Sequence, residues 1–358
     1  MVRTLEGYPH TSAAVRLPSS IDQVVAPVGR PAKLGGSRAL RAIVHHEAAA
    51  DVYHLHGIWL RAMFYGYEKA RRENRPYLIE INGALDPLEL ATKPWRKRLI
   101  RWWYQNRMLR EAGCIHVNSV REAEHVRALG FRAPIAVIPA GFNFAEFDAL
   151  AEQAKNVTPS WAEGLKGRRI LLFLARIHPA KGIDDLLTAW MELAGVFPDL
   201  DLLVIGPGEA AEVAIRKAKV AAAGMEHRCH WAGMVSEVDR AWAYTHAELY
   251  VLPSHKENFG NTVQEALGSG TPVVTTTQTP WVDLEKWGCG WVCADTPQGL
   301  KEALAKSLAE APTELKMRGQ IGRKIILERF SLTQVVNAQL AVYGWLNGGP
   351  KPDCLWPN

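Results

Sequence analysis

At 358 residues with 48% hydrophobic content, the chain is long enough for about two domains of roughly 150 residues each, both with ordinary apolar cores. The formal net charge of +5 suits an anionic substrate or membrane surface and does not demand a nucleic-acid partner. No apolar run approaches the roughly 20 residues that span a bilayer, and the N-terminus lacks the apolar stretch of a signal peptide, so a cytoplasmic location is expected.

The cysteines and histidines give no metal or disulfide pattern. The five cysteines are scattered, and none forms a CxxC pair: Cys114, Cys229, Cys289, Cys293 and Cys354. Buried free thiols in a reducing compartment are therefore favoured over a disulfide or a metal site. The histidine pairs His45–His46 and His54/His56 are interpreted as surface or strand-end residues rather than as a zinc site.

Short apolar runs alternate with helical patterns along the whole chain, which predicts an α/β fold. In the first part, the predicted strands are 51–57, 76–83, 114–119 and 135–141, with helices at 59–73 and 94–112. After a polar stretch at about 150–168, the predicted strands are 169–177, 201–208, 227–234, 247–254, 271–277 and 289–293. The pattern predicts two doubly wound domains, in which ligands bind beyond the carboxyl ends of the strands.

The stretch ENFGNTVQEALGSG predicts a loop followed by a short helix at 262–267. Asn261 is expected to be its N-cap, in a capping box with Gln264, and Gly268 is expected at the C′ position. The start of such a helix presents unpaired N–H groups that suit a phosphate, and Gly260 would let a ligand approach the backbone closely.

Two glutamates lie close in sequence to this predicted phosphate-binding site. Glu265 in the first helical turn can accept hydrogen bonds from two neighbouring hydroxyls, as a ribose offers, and Glu257 in the loop can reach another hydroxylated group. A diphosphate flanked by two sugars describes a nucleotide-sugar. The alternative is that both are solvated carboxylates, which the spacing alone would favour.

Two further strand-end motifs support an anionic ligand. LARIHPAKG places Arg176 and Lys181 after a strand, where two cations could neutralise a diphosphate leaving group, although an ordinary basic turn is the alternative. The turn IGPGE, with Gly206, could let a nucleotide lie over the sheet. It lacks the full GxGxxG pattern, so a dinucleotide-binding oxidoreductase is poorly supported.

With these motifs in this order, the chain resembles the family-4 retaining glycosyltransferases, also called glycosyl transferases group 1. Among them, ENFGNTVQEALGSGTPVVTT, DVYHLHGIW, NGALDPLEL and IAVIPAGFN are similar to a bacterial subgroup of surface-polysaccharide assembly. The resemblance implies the GT-B fold, in which two Rossmann-like domains face each other across a cleft. It also implies transfer of a sugar from a nucleotide-sugar, with retention of configuration, to a glycan or lipid-linked acceptor.

The resemblance implies roles for individual residues and no metal or other cofactor. Arg176 and Lys181 would hold the donor diphosphate, Glu265 the ribose and Glu257 the transferred sugar. The remaining donor-binding positions would be Gly206, Gly233, Met234, Val235, Asn258, Phe259, Gly260, Asn261, Thr262 and Val263. The implied mechanism is front-side attack, with a leaving phosphate oxygen taking the acceptor's proton.

The chain departs from the family pattern in its first part. Nothing in residues 1–20 is typical of the family's first strand and glycine-rich loop, so this strand-loop-helix is expected to be missing. Gly35–Gly36 are expected to begin the helix before the 51–57 strand, with imitation of the missing loop as the alternative. Asn82 stands where the family usually has a charged or titratable residue. The acceptor-side candidates are His56, Asn82, Gly83 and Asp86, with strand-end or turn-capping roles as alternatives. These departures favour, as a rival hypothesis, a non-catalytic GT-B-like protein that binds a nucleotide-sugar or a partner.

Residues 92–110 interleave basic residues with tryptophans, which suits an anionic membrane surface as well as a solvated helix face. Members of the family that the chain resembles often extend lipid-linked oligosaccharides, so peripheral membrane contact is expected, and nucleic-acid binding is not. The expected domains are 1–148 on the acceptor side, 149–333 for the nucleotide-sugar, and a helix within 334–358 that returns to the first domain.

Overall fold

A computed structural model describes residues 2–6, 23–27 and 35–357, with only the backbone described at 2–6, 23–25 and 27. The chain divides into two compact units. The first comprises Met1–Pro139 and Asn337–Asn358, and the second comprises Ala140–Val336. Within the described ranges, no helix combines the length and apolar character that crossing a bilayer requires.

The first unit is built on a parallel four-stranded sheet in the order β3-β4-β5-β6. Its strands are β3 (Tyr53–His56), β4 (Tyr77–Glu80), β5 (Cys114–Val117) and β6 (Ile135–Val137). The helices are α1 (Arg38–His46), α2 (Arg61–Arg72), α3 (Pro87–Ala91), α4 (Pro94–Ile100), α5 (Asn106–Arg110) and α6 (Val120–Ala128), with a π-helical turn at Arg101–Gln105. The central strands β4 and β5 are largely buried and most of their residues are apolar, as parallel strands covered on both faces require.

A separate two-stranded sheet precedes this one. β1 (Val2–Glu6) pairs in parallel with β2 (Gln23–Pro27). The expectation that residues 1–20 hold no first strand was therefore wrong, because a five-residue strand whose partner lies 21 residues later leaves little periodicity to detect. The expectation that the glycine-rich loop is also missing concerns residues within 7–22, which lie outside the described residues. Helix α1 begins after Gly36, and Ser37 caps it by accepting from the N–H of Leu40 at 3.1 Å.

The second unit contains a six-stranded parallel sheet in the order β12-β11-β10-β7-β8-β9. Its strands are β7 (Arg169–Leu174), β8 (Leu200–Ile205), β9 (Cys229–Gly233), β10 (Leu249–Leu252), β11 (Val273–Thr276) and β12 (Gly290–Cys293). The helices are α7 (Phe144–Ala154), α8 (Ile183–Leu193), α9 (Ala210–Ala222), α10 (Glu237–His246), α11 (Asn261–Ser269), α12 (Leu284–Trp287), α13 (Pro297–Leu308) and α14 (Pro312–Phe330). A last helix, α15 (Leu332–Leu346), contributes its residues from 337 onward to the first unit.

Helices cover both faces of this sheet, and each face has its own apolar core. Trp190 and Trp291 lie in one core, while Tyr244, Tyr250 and Trp281 lie in the other. The prediction of an α/β protein with two doubly wound parallel-sheet domains is confirmed, and all ten predicted strands are present.

The ends of α11 differ from the sequence prediction. Gly260, with φ of +81°, occupies the N-cap without a side-chain cap, and Gly270, with φ of +90°, ends the helix. Gln264 does not form a capping box, because its amide donates to the carbonyl of Ala140 at 2.7 Å. Gly268 lies inside the helix, where a Cβ would come within 2.7 Å of the Phe142 ring. Left-handed glycines, rather than polar side chains, therefore set both helix ends.

Candidate nucleotide-sugar site

The candidate site lies at the carboxyl edge of the six-stranded sheet. Strands β8 and β9 extend the sheet on one side of β7, and β10 to β12 extend it on the other. The strand order therefore reverses between β7 and β10, and the crevice outside such a switch point is where open α/β sheets bind ligands. Arg176 and Lys181 follow β7, and Glu257 and Glu265 follow β10, so the topology brings the two motifs together.

The loop after β7 is held against the end of β10. The carbonyl of Ala180 accepts from the N–H of His255 at 3.1 Å. Gly182 has φ of +69°, and a Cβ there would lie 1.9 Å from the carbonyl oxygen of Pro253. Only glycine permits this approach of the two backbones, which fixes Lys181 beside the β10 loop.

Lys181 and Glu257 form an ion pair with 2.5 Å between Nζ and Oε2. Both side chains are largely buried, with exposed fractions of 16% and 14%. The Ser254 hydroxyl donates to the same carboxylate oxygen at 3.4 Å. Arg176 is exposed, and no side-chain partner is seen for it among the described residues. The edge thus holds one cation fixed by a carboxylate and a second that is available to an anion.

The loop before α11 and the first turn of this helix lie beside the Lys181–Glu257 pair and are fixed by two side-chain hydrogen bonds. The indole N–H of Trp281 donates to the Phe259 carbonyl at 2.5 Å, and the Tyr250 hydroxyl donates to Oγ1 of Thr262 at 2.6 Å. These bonds hold the loop and first turn in place. The amides of Asn261 and Thr262 open the helix, where N–H groups lack intrahelical acceptors and attract anions.

Glu265 lies one turn into α11 and is mostly shielded from water. Its Oε2 accepts from the Tyr244 hydroxyl at 2.9 Å, and Nη1 of Arg240 lies 3.7 Å from its Oε1. Burial raises the pKa of this carboxyl above its usual value, while Arg240 and Tyr244 act in the opposite direction. The hydroxyl and the guanidinium orient a carboxylate whose remaining lone pairs can accept from a ligand.

The turns after β8 and β9 complete the edge. Gly206 has φ of +138°, and a Cβ there would lie 2.0 Å from the carbonyl oxygen of Ala175. Its N–H donates to the Gly233 carbonyl at 2.8 Å, which joins the two turns. Next to them, the Met234 side chain is exposed and Val235 is partly buried. The edge is therefore lined here by backbone and apolar surface, which suits a flat ring.

Sequence analysis missed the residues that support these groups. Tyr244 and Arg240 lie on α10, about one helix and one strand before the glutamate that they contact, and nothing in their spacing points to Glu265. Trp281, whose indole fixes the loop before α11, was not among the predicted site residues. Its position after a buried strand was the one available signal.

In the first unit, Asn82 lies in the turn after β4 in a left-handed conformation, with φ of +46°. Asparagine is among the few residues with a side chain that tolerate this conformation. Its Oδ1 accepts from Nδ2 of Asn118 at 2.8 Å. The buried carboxylate of Glu122 accepts from the N–H of Gly83 and, at 2.7 Å, from the N–H of Asn118. Burial raises the pKa of Glu122 to about 7, against the effect of these two backbone donors.

The other two acceptor-side candidates have structural contacts. Asp86 caps α3, accepting from the N–H of Leu88 at 2.8 Å. His56 is exposed and its Nδ1 lies 2.5 Å from Oε2 of Glu80. These contacts are the turn-capping and strand-end roles that the sequence left open beside an acceptor contact.

Two family profiles match this chain. The profile described as "Glycosyl transferases group 1" matches residues 160–325, and the one described as "Glycosyl transferase 4-like domain" matches residues 4–141. The first match contains the whole candidate site at the carboxyl edge of the six-stranded sheet. The second contains the Asn82 turn and begins within the strand Val2–Glu6.

Curated relatives share part of the chain. The lipopolysaccharide core biosynthesis mannosyltransferase LpcC of Rhizobium leguminosarum bv. viciae is 32% identical over 192 residues, covering 52% of this chain and 54% of that protein. An MMP alpha-(1->4)-mannosyltransferase of Mycolicibacterium hassiacum is 27% identical over 270 residues, covering 71% of this chain and 60% of that protein. The chain thus spans less than two thirds of the length of these relatives.

Solved structures share the fold. A sucrose-phosphate synthase from Thermosynechococcus elongatus superposes with a TM-score of 0.68 at 21% identity, over 86% of this chain and 76% of that one. The Anabaena protein HepE, solved in complex with UDP-glucose, gives 0.70 at 18% identity, over 91% and 86%. These likenesses confirm the GT-B fold class.

Proposed function

This chain belongs to the glycosyl transferases group 1 family, and we propose that it transfers a sugar from a nucleotide-sugar donor to a glycan or lipid-linked acceptor with retention of anomeric configuration. The observation that carries the proposal is the Lys181–Glu257 pair at the β7/β10 switch point, beside the start of α11. A cation, a carboxylate and a helix N-terminus at one sheet edge match a diphosphate with a sugar attached.

The donor is proposed to bind along this edge. The diphosphate contacts Arg176, Lys181 and the first amides of α11, where positive charge is concentrated. Glu265, oriented by Tyr244, accepts from the ribose hydroxyls. Glu257 accepts from hydroxyls of the transferred sugar while it also holds Lys181 in place. The nucleobase lies against the turns at Gly206 and Gly233–Val235, whose exposed backbone and apolar surface suit a flat ring.

The chemistry is proposed to depend on charge and position. As the glycosidic bond breaks, Lys181 and Arg176 stabilise the negative charge that develops on the leaving diphosphate. The acceptor hydroxyl attacks from the same face, and its proton passes to a leaving phosphate oxygen. Lys181, which Glu257 holds in place, and the exposed Arg176 supply the stabilisation that a metal ion gives in other transferases, so no metal is proposed for donor cleavage.

The acceptor is proposed to bind at the carboxyl ends of β3 and β4, with His56, Asn82, Gly83 and Asp86 as contacts. The left-handed turn at Asn82 and Gly83 directs the Asn82 amide into a hydrogen bond with Asn118, so the turn is shaped before an acceptor arrives. A place in surface-polysaccharide assembly, such as lipopolysaccharide or exopolysaccharide, is supported by the similarity to a lipopolysaccharide core mannosyltransferase.

An assay of nucleoside diphosphate release tests this function. The full chain is incubated with UDP-, GDP- and ADP-hexoses together with a bacterial lipid and glycan extract, with and without a chelator. We expect extract-dependent release from one nucleotide class, unchanged by the chelator, and a product whose anomeric configuration by NMR matches the donor. No release from any class would overturn the transferase proposal, and an inverted product would overturn retention.

A peripheral position at an anionic membrane is proposed from the α4–α5 segment. Trp95, Leu99, Trp102 and Trp103 are exposed there, with exposed fractions from 56% to 81%. The same segment buries Tyr104, Met108 and Leu109 in the core of the first unit, so its exposed side is not needed for packing. Basic side chains beside exposed tryptophans are typical of proteins that bind the interface of an anionic bilayer.

A further inference from the structure

A row of titratable side chains crosses the four-stranded sheet of the first unit near its carboxyl edge. His56 on β3 is in register with Glu80 on β4, and Glu80 is in register with His116 on β5. His54 lies two residues before His56, so the pleat places it on the same face. The other positions of these strands are mainly apolar, so this row of four titratable side chains differs from the rest of the sheet.

Three members of the row converge on one point. His54, His56 and Glu80 each place a possible ligand atom within 4.8 Å of the other two. The rings of His54 and His56 stack with centroids 3.9 Å apart, and Nδ1 of His56 lies 2.5 Å from Oε2 of Glu80. Tetrahedral zinc sites need donor atoms roughly 3 to 3.5 Å apart. The exposed His56 side chain can rotate to meet that distance.

An ordinary ion pair between His56 and Glu80 leaves one observation unexplained. Nε2 of His54 is buried and has no hydrogen-bond partner among the described residues. Its other nitrogen, Nδ1, lies 2.6 Å from the hydroxyl of Tyr343 on α15. When Nδ1 donates to that hydroxyl, the lone pair of Nε2 stays available. Metal-binding histidines are typically held in this way, with the second ring nitrogen bonded to an outer partner.

We propose that His54, His56 and Glu80 bind a divalent transition-metal ion of the Zn²⁺ class, with Tyr343 orienting His54. Two imidazole nitrogens and one carboxylate oxygen suit Zn²⁺, and the exposure of His56 leaves a fourth position open to water. Sequence spacing did not indicate the site, because its third ligand comes from the neighbouring strand. The site lies in the first unit, and the proposed donor chemistry of the second unit does not depend on it.

Calorimetric titration of the full chain with ZnCl₂, after chelator treatment and desalting, tests this inference. The variants are His56→Ala and Glu80→Gln, and His227→Ala, an exposed histidine of the second unit, is the matched control. His56 is exposed and Glu80 is the last residue of β4, and circular dichroism verifies that both variants fold. Titration with Co²⁺, followed by visible absorption, reports the coordination geometry independently.

We expect wild-type protein and His227→Ala to bind one equivalent of Zn²⁺ and to give the intense visible bands of four-coordinate Co²⁺. Each ligand variant should weaken binding by about tenfold or more, since even outer partners of metal ligands contribute 10–100-fold. MgCl₂ should give no heat. Absence of Zn²⁺ binding by the wild type, or equal affinity in His56→Ala and the wild type, would overturn the proposal.

Discussion

At the scale of single residues, two charged side chains of the candidate site are held in place by contacts with neighbouring side chains. Glu257 holds Lys181 at 2.5 Å before any donor is present, so the ammonium group loses little freedom when a diphosphate binds. Tyr244 and Arg240 hold Glu265 in the same manner. Arg176 has no such support among the described side chains, which leaves it able to move onto a ligand.

Replacing Lys181 with alanine should therefore reduce turnover while the protein remains folded. We expect nucleoside diphosphate release to fall about 10²-fold or more, since one preorganised donor contributes that much to a developing anion. The free energy of unfolding should fall by only about 2 kcal/mol, the usual value of a hydrogen bond between charged groups. Both are measurable by the release assay and by urea denaturation.

Lys301→Ala is the matched control, because it breaks a 2.6 Å ion pair with Glu192 on the surface of the same unit. Its turnover should equal that of the wild type. Equal turnover in Lys181→Ala and Lys301→Ala would remove Lys181 from the site.

Glu122 is the buried carboxyl beneath the Asn82 turn, and its pKa of about 7 predicts a pH effect. The folded pKa exceeds the unfolded value of about 4.5, so the folded state retains a proton that the unfolded state releases. Stability is therefore lost as pH rises from about 4.5 to 7, at up to roughly 1.4 kcal/mol per pH unit.

Glu122→Gln should remove this loss, whatever constant effect the amide has on stability. Urea denaturation from pH 5 to pH 8 should show a flatter profile for Glu122→Gln than for the wild type. Glu124→Gln, an exposed position on the same helix, should keep the wild-type slope. Parallel profiles for all three proteins would show that Glu122 is already ionised in the folded state.

At the scale of elements, the start of α11 depends on a glycine in a conformation that other residues avoid. A Cβ at Gly260 would lie 3.2 Å from both Cγ of Glu257 and Nε1 of Trp281. Gly260 therefore sets the direction in which α11 begins. Its lack of a side chain also leaves room for Glu257 and for the Trp281 indole that fixes the loop.

Gly260→Ala should weaken nucleotide-sugar binding by displacing Glu257 and the first turn of α11. Gly224→Ala is the matched control, since its φ is +70° and no atom lies within 4 Å of the added Cβ. Both variants should lose roughly 1–2 kcal/mol of stability, because a residue with a Cβ is strained in the left-handed backbone conformation. Donor affinity, measured by calorimetry, should fall only in Gly260→Ala, and unchanged affinity there would contradict this role.

The α4–α5 segment is the element to test for membrane contact. The full chain should co-sediment with vesicles that contain anionic lipid at low salt, and binding should fall as salt screens the basic residues. Trp102→Ala should weaken the binding, because this side chain is 81% exposed, whereas Val196→Ala, an exposed apolar residue of the second unit, should not. Failure of the wild type to bind anionic vesicles would end the membrane proposal.

At the scale of the whole molecule, the strands were the most predictable feature. Runs such as ILLFL and LLVI are apolar throughout and are followed by turn residues, and these properties follow from burial on both faces of a parallel sheet. The ends of α11 were not predictable from side-chain propensity, because they depend on contacts with neighbouring segments. The Gln264 amide donates to the Ala140 carbonyl instead of capping the helix, and Gly268 lies inside the helix because a Cβ there would clash with the Phe142 ring.

The candidate site was predictable where its residues lie within motifs and not where they come from elsewhere. Lys181, Glu257 and Glu265 stand in recognisable stretches at strand ends. Their supports Tyr244 and Arg240, and the convergence of Glu80 on His54 and His56, depend on which helix or strand lies alongside. Strand order and register determine those contacts, and a single sequence does not display them.

Nucleotide-sugar binding by the second unit is the central claim, and a thermal-shift measurement tests it most directly. The purified full chain, Glu265→Ala and the exposed-position control Glu302→Ala are each heated with UDP-, GDP- and ADP-sugars. One nucleotide class should raise the melting temperature of the wild type and of Glu302→Ala, through preferential binding to the folded state, but not that of Glu265→Ala. A folded wild type that no nucleotide-sugar stabilises, or an equal shift in Glu265→Ala, would contradict the account.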